Sequence, residues 1–168
     1  MKIKRLFIVA LGLLALMTSC RDEVDDSDLY TFTGKTAYGF LADSKDFSDF
    51  AYILSKVKLS EKSTSTISEL LSARGNYTVF APSNEAIAFY LDSIYNTKGY
   101  DITQIPDSTA ESIAKNSIID NKDGNAYLST DFVVGALGTT NMNSRYIQID
   151  YANAADGKLI TRVNTNSK

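Results

Sequence analysis

Hydrophobic residues in the first half of the chain recur at helical spacing. From Phe47 they fall three and four positions apart, which predicts an amphipathic helix built on Phe47, Phe50, Ile53, Leu54 and Val57. Residues 66–69, Thr-Ile-Ser-Glu, fit the capping box, in which two side chains at a helix start each bond the other residue's backbone amide. A second helix is therefore predicted after Thr66, ending at Gly75, because glycine is typical of helix ends.

The pattern becomes strand-like after Gly75. Residues 76–81 are rich in β-branched and aromatic side chains and are closed by Pro82, which predicts a short strand. Ser83 follows as a helix cap. The next helix is predicted to bury one face, made of Ile87, Tyr90, Leu91, Ile94 and Tyr95, and residues 107–116 are predicted to form another short helix.

Strand patterns dominate the C-terminal part of the chain. Residues 146–150 alternate between apolar and polar, Asp156-Gly157 marks a turn, and residues 158–163 alternate again. Helices therefore come first and strands later. This order favours an α+β fold over a parallel sheet.

The N-terminus has the three parts of an export signal. Basic residues come first, followed by the apolar run 6–17 and a small polar pair before Cys20, the only cysteine. The run is shorter than the roughly 20 residues that a spanning helix needs. Residues 1–19 are predicted to be a lipoprotein signal peptide, because the sequence before Cys20 is similar to a lipobox. That resemblance implies a lipid such as palmitate on Cys20; the alternative is a chance thiol beside an ordinary cleavage site.

The density of charged residues distinguishes a short tether after Cys20 from the folded domain that follows it. Residues 21–28 are almost all charged, so residues 20–33 are predicted to be a solvated acidic tether that carries the lipid. Residues 1–19 hold three of the 17 Lys and Arg and none of the 20 Asp and Glu, so the rest has a net charge of −6. This charge argues against a nucleic-acid partner.

The acidic cluster also bears on localisation. It is similar to the tag that sends some Gram-negative lipoproteins to the outer face of the outer membrane. The resemblance implies an outer-membrane lipoprotein at the cell surface. The alternatives are the periplasmic face and a linker that is acidic only for solubility.

One segment resembles a known family closely. Residues 77–86 look like the first signature of the fasciclin domain, a secreted or surface adhesion module, and comprise Tyr77, Thr78, Val79, Phe80, Ala81, Pro82, Ser83, Asn84, Glu85 and Ala86. We call this segment the 77–86 motif. Likeness over 34–59, 130–140 and 146–163 extends the resemblance to nearly all of residues 34–168. It implies helices packed on a small β-sheet or wedge.

The chain departs from the family pattern in two places. Ser117 stands where the second signature usually has a His, so the receptor-binding Tyr-His pair of some animal members is not carried over. The closing Asn-Gly turn and aliphatic strand of the family do not follow Asn164, and the last strand still runs as the chain ends. The domain over 34–168 is therefore predicted to lack its last strand or strands, leaving an open sheet edge and an uncovered apolar face.

The sequence offers few candidates for catalysis. The chain has no His, which excludes Ser-His and Cys-His nucleophile systems and a His-bearing zinc site. Ser55 with Lys58 and Ser112 with Lys115 match S-x-x-K, but without the accompanying motifs both are interpreted as helix-surface composition. Residues 120–125 hint at a calcium loop, yet Lys122 occupies a ligand position and a surface turn is favoured. No enzyme activity, metal or cofactor is predicted.

Aromatic residues leave a binding role open. Six tyrosines could line a glycan or peptide surface: Tyr90, Tyr95, Tyr100, Tyr127, Tyr146 and Tyr151. We favour the alternative interpretation, in which most of them pack in or at the edge of the core. The leading hypothesis is a lipid-anchored, non-enzymatic interaction module for adhesion or protein binding. The alternative is an accessory glycan- or nutrient-binding lipoprotein beside an outer-membrane transporter, with an enzyme third.

Overall fold

The computed structural model describes residues 34–122, 124–155 and 157–164. The predicted signal peptide, Cys20 and the acidic tether lie outside the described residues, as do Asp123 and Asp156 of the predicted turns. The described residues from Gly34 onward belong to one compact unit. Within them, no helix combines the length and apolarity needed to span a bilayer.

Among the described residues, five α-helices precede most of the strands. They are α1 (Ala37–Asp43), α2 (Ser48–Lys56), α3 (Ile67–Ser72), α4 (Asn84–Tyr95) and α5 (Asp107–Asn116). Short 3₁₀ turns cover Lys45–Phe47, Ile102–Gln104 and Ser129–Asp131. The side chains of Thr36, Thr66 and Ser83 cap α1, α3 and α4, each satisfying an amide that has no partner inside its helix.

The capping box at Thr66 and Glu69 is confirmed, but the predicted end of that helix is wrong. Helix α3 ends at Ser72, and Ala73 is already extended. Gly75 serves a different purpose, since a Cβ added there would lie 2.4 Å from Cε2 of the Tyr77 ring. The glycine makes room for the side chain of Tyr77.

Five strands form two small antiparallel sheets among the described residues. Strands β1 (Tyr77–Val79) and β2 (Ile118–Asp120) pair as a ribbon, with Thr78 opposite Ile119. Strands β3 (Gly135–Thr140), β4 (Tyr146–Asn153) and β5 (Leu159–Val163) form a meander in that order. The predicted α+β class is confirmed at this level.

Strand β2 links two hydrophobic cores because its side chains alternate between its faces. Ile118 packs with the helices, whereas the next residue, Ile119, packs with the meander. The first core is the larger one and includes Phe50, Ile53, Leu54, Ile67, Leu71, Ile87 and Leu91. The second contains Leu137, Ile147 and Ile149, with Phe80 and Phe132 at its margin.

The predicted apolar face of α4 is only partly buried. Ile87 and Leu91 are in the core, but Tyr90 and Ile94 are each 44% exposed. Phe89, which lies off the predicted stripe, is 78% exposed. The apolar surface of α4 is therefore wider than the core that it covers.

Strand β5 lies at the edge of the meander. Every residue of β5 is exposed, and among the described residues it pairs only with β4. Asn164 follows in a left-handed conformation with φ of 55°, and its side-chain Oδ1 accepts a bond from the Gln148 amide at 2.9 Å. The strand ends at Val163, whereas the sequence pattern predicted that it runs on. Among the described residues its outer edge has no paired strand, and its apolar side chains Leu159, Ile160 and Val163 are exposed.

Candidate functional site

A cleft of about 260 Å³ lies between the start of α4 and the end of α5. We call it the α4–α5 cleft; it is lined by Pro82, Ala86, Ile87, Tyr90, Ser112, Ile113, Asn116 and Ser117. It brings Pro82 and Ala86 of the 77–86 motif next to Ser117. Ser112, from one of the S-x-x-K matches, also lines it.

The β1–β2 ribbon sets the geometry of this cleft. The backbone amide of Phe80 donates to the Ser117 carbonyl at 2.8 Å, directly after the paired strands. This bond holds the end of α5 beside the chain entering α4. Ser83 then starts α4 by accepting a bond from the Ala86 amide at 3.2 Å. The ribbon and the cap together place the two helix ends side by side.

Asn84 of the 77–86 motif fixes α4 to a distant helix. Its Oδ1 accepts from the Asp49 amide at 3.0 Å, in the first turn of α2. Its Nδ2 donates to the Lys45 carbonyl at 2.8 Å and to Ser48 Oγ at 3.0 Å. All three of these hydrogen bonds are directed at the start of α2 and the turn before it.

Thr78 has a similar role on the other side of the ribbon. It is buried, and its Oγ1 accepts from the Tyr127 amide at 2.8 Å and donates to Asn121 Oδ1 at 3.3 Å. This hydroxyl therefore holds the 121–127 loop against β1. Beyond it, Phe80 stacks on Phe132 with ring centroids 5.8 Å apart.

The remaining motif residues are structural or exposed. Burial raises the pKa of the Tyr77 phenol, with a further contribution from the charge of Asp120, its cross-strand partner. Val79 and Ala81 pack against the helical core. Glu85 is exposed in the first turn of α4, where its charge favours the helix dipole.

The polar groups of the cleft are bonded within the fold. Ser112 Oγ accepts from Asn116 Nδ2 at 3.2 Å, and Ser117 Oγ donates to the Ile113 carbonyl at 2.8 Å. Lys115, the partner of Ser112 in the S-x-x-K match, forms an ion pair with Glu111. The cleft thus offers mainly apolar surface to a ligand.

The structure does not bring together the serine and the lysine of the other S-x-x-K match, Ser55 and Lys58. Ser55 is exposed and donates to the Tyr52 carbonyl at 2.7 Å. Helix α2 ends at Lys56, so Lys58 lies beyond the helix that carries Ser55. The two residues do not share a helix face.

The segment suggested as a calcium loop forms a turn, with the Gly124 amide bonded to the Asn121 carbonyl at 2.9 Å. The buried Asn121 side chain is already engaged by Thr78. A cavity of about 500 Å³ borders the segment, and Lys122 is among its lining residues. The part of the chain that the structure describes contains no cluster of three or more acidic, His or Cys residues suited to a metal.

The six candidate tyrosines divide into two groups. Tyr95, Tyr100, Tyr127 and Tyr151 are partly buried with bonded hydroxyls, and Tyr95 stacks on Tyr100 at 4.6 Å between centroids. Tyr90 and Tyr146 are exposed. Only Tyr90 borders the cleft, next to the exposed Phe89 that the sequence pattern did not single out. The sequence did contain a signal for Phe89: it is a large apolar residue that lies outside the predicted apolar stripe of the helix, where a polar residue is expected.

No known family model matches the chain, and no curated protein sequence shows significant similarity to it. The fasciclin resemblance therefore depends on the residues quoted for it. The structural roles of Thr78, Ser83 and Asn84 are properties of this fold and hold whichever family the chain belongs to.

Proposed function

We propose that the protein is a lipid-anchored, non-enzymatic interaction module of the cell envelope, with a fasciclin-like domain that binds another protein. One observation carries the binding role: the apolar α4–α5 cleft is lined by the exposed ring of Tyr90, and Phe89, the preceding residue of α4, is also exposed. Exposed aromatic side chains beside a pocket are typical of the residues that dominate protein interfaces.

The chemistry of the cleft favours a protein side chain as its occupant. A volume of about 260 Å³ suits a single aromatic or branched aliphatic side chain. Because Ser112 and Ser117 are bonded internally, a ligand gains mainly from burying apolar surface, at about 25 cal/mol per Å². The same bonding leaves neither hydroxyl activated as a nucleophile, which favours binding over catalysis.

The anchoring half of the proposal concerns Cys20. A lipid on this residue would hold the domain at the outer membrane, with residues 20–33 as spacer and the domain facing the outside. Metabolic labelling with a lipid precursor tests this: the wild type should incorporate label and Cys20→Ala should not. Protease treatment of intact cells then distinguishes the surface from the periplasmic face.

The binding half is tested by adhesion of bacteria that export the chain. Attachment to protein-coated surfaces and to sister cells is measured for the wild type, Phe89→Ala/Tyr90→Ala and Phe40→Ala. Phe40 is an exposed aromatic residue of α1 that does not line the cleft, so it serves as a matched control. We expect adhesion to fall only in the double variant. Equal adhesion by all three chains would refute the assignment to this cleft.

A glycan ligand is the second candidate, because the exposed Tyr90 ring lies at the cleft. The apolar face of an aromatic ring is suited to packing against the apolar face of a sugar. Calorimetric titration with oligosaccharides, compared between the wild type and Tyr90→Ala, separates this role from protein binding. Genes for an outer-membrane transporter beside this one would also favour it. Reproducible hydrolysis lost in Ser55→Ala or Ser112→Ala would favour an enzyme instead.

A further inference from the structure

Strand β5 has an open edge among the described residues. Its five residues, Leu159 to Val163, contain no Pro or Lys, and Arg162 is their one charged residue. Leu159 is 67% exposed, although it lies on the same face of the sheet as the buried Ile149. Such a strand is a template for pairing with another strand.

The hydrogen bonds to β4 show which backbone groups face the open edge. The Asn164 amide donates to the Gln148 carbonyl, and the Ala154 amide donates to the Lys158 carbonyl, both at 2.8 Å. Bonding residues alternate along an antiparallel ladder, so the even-numbered residues of β5 bond to β4. The amides and carbonyls of Leu159, Thr161 and Val163 therefore point away from β4.

We propose that β5 pairs antiparallel with β5 of a second copy of this chain, about a two-fold axis through Thr161. In this register Thr161 faces its own copy, and Leu159 faces Val163 of the second copy. The odd-numbered residues, whose backbone groups point to the open edge, are the ones that bond across the axis. The strand is thus complementary to itself, as a two-fold interface requires.

Charge also permits this pairing. Arg162 is the only charged residue of β5, and it faces Ile160 of the second copy in this register. Its guanidinium is bonded to the Asp150 carboxylate of its own chain and holds the pKa of that carboxyl below its ordinary value. No unpaired charge enters the interface, and no like charges are directly opposite. A second copy of β5 therefore fits this edge without electrostatic penalty.

The dimer is tested by sedimentation of the full chain in a mild non-ionic detergent, with Thr161→Lys and Thr130→Lys as a matched pair. Both threonines are exposed, but only Thr161→Lys places like charges directly across the two-fold axis. We expect the wild type and Thr130→Lys to dimerise, and Thr161→Lys to raise the dissociation constant at least about tenfold. A monomeric wild type would overturn the proposal and leave the edge to a different partner.

Cross-linking tests the register itself. Residues directly opposite in a hydrogen-bonded antiparallel pair have Cα atoms about 5.5 Å apart, within reach of a short bifunctional thiol reagent. In a Cys20→Ser background, Thr161→Cys should give a cross-linked dimer with such a reagent, whereas Thr130→Cys should not. Equal cross-linking of the two variants would contradict pairing through β5. Neither experiment depends on the α4–α5 cleft or on lipidation, so this inference and the proposed function can fail separately.

Discussion

The side-chain Oδ1 of Asn84, the first residue of α4, accepts a hydrogen bond from the backbone amide of Asp49 in the first turn of α2, at 3.0 Å. An N-cap side chain normally serves its own helix. Here Ser83 caps α4, and the neighbouring Asn84 serves a helix that begins 36 residues earlier in the chain. Two consecutive motif residues thus start one helix and dock it against another.

Asn84→Ala should lower the free energy of unfolding by about 1–2 kcal/mol, because it leaves the start of α2 without its side-chain partner. Urea denaturation followed by circular dichroism measures this loss. Asn125→Ala, at an exposed loop position, is the matched control and should change stability by less than about 0.5 kcal/mol.

Substitution by Asp distinguishes the role of Ser83 from that of Asn84. Ser83→Asp should be tolerated, because a carboxylate accepts the same amide bond. Asn84→Asp should destabilise nearly as much as Asn84→Ala, because a carboxylate oxygen would face the Lys45 carbonyl in place of a donor. Tolerance of Asp at both positions would contradict this account of Asn84.

Thr78→Val should cost about 1–3 kcal/mol, because it removes a buried hydroxyl and leaves the Tyr127 amide without that partner. Thr78→Ser keeps the hydroxyl and should be much milder. Hydrogen exchange at the Tyr127 amide is the local measurement: exchange should accelerate in the Val variant and stay slow in the Ser variant. Unchanged exchange in Thr78→Val would show that the hydroxyl does not hold the loop.

The carboxylate of Asp92 makes part of the stability dependent on pH. It accepts bonds from the amides of Tyr100 and Gly99, which hold its pKa below the ordinary value. A carboxyl whose pKa is lower in the folded state stabilises the fold above its unfolded pKa, about 4, and this stabilisation is lost as pH falls through the folded value. Asp92→Asn should therefore be destabilising at pH 6.

The difference between wild type and Asp92→Asn should shrink at an acidic pH below the unfolded pKa of about 4, since the stabilisation from the lowered folded pKa is lost as pH falls. Urea denaturation at both pH values measures the change. Glu61→Gln, at an exposed position in a loop, removes a carboxylate without removing such bonds and serves as the control. A difference that is constant with pH would contradict the role assigned to the charge of Asp92.

Gly75→Ala should destabilise the fold by about 1–3 kcal/mol, because the added Cβ overlaps the ring of Tyr77. The contacts include the ring carbons Cε2 and Cζ, so Tyr77→Phe should not relieve the overlap, whereas Tyr77→Val should. Double-mutant cycles with both Tyr77 variants measure this coupling. A cost for Gly75→Ala that is the same in all three backgrounds would refute the steric explanation.

Local sequence predicted the elements whose signals lie within a few residues of one another. The capping box at Thr66, the Ser83 cap and the alternation along 158–163 each depend on near neighbours, and each element is present. Helix ends were less accurate, because Gly75 reflects a contact with Tyr77 that the helical pattern does not encode. The exposure of Tyr90 and Ile94 was missed for a related reason: a periodic pattern identifies an apolar stripe but not how much of it the neighbouring helices cover.

The sequence by itself determined the α+β order of elements, the caps at Thr66 and Ser83 and the strand-like pattern of residues 146–163, since these depend on propensity and short-range bonding. Only the tertiary structure decided that Asn84 docks α4 on α2, that Thr78 holds the 121–127 loop, and that Pro82 and Ser117 share a cleft. Each of these relationships joins residues about 35 to 49 positions apart. They arise when the cores around β2 assemble, and no local pattern in the chain specifies them.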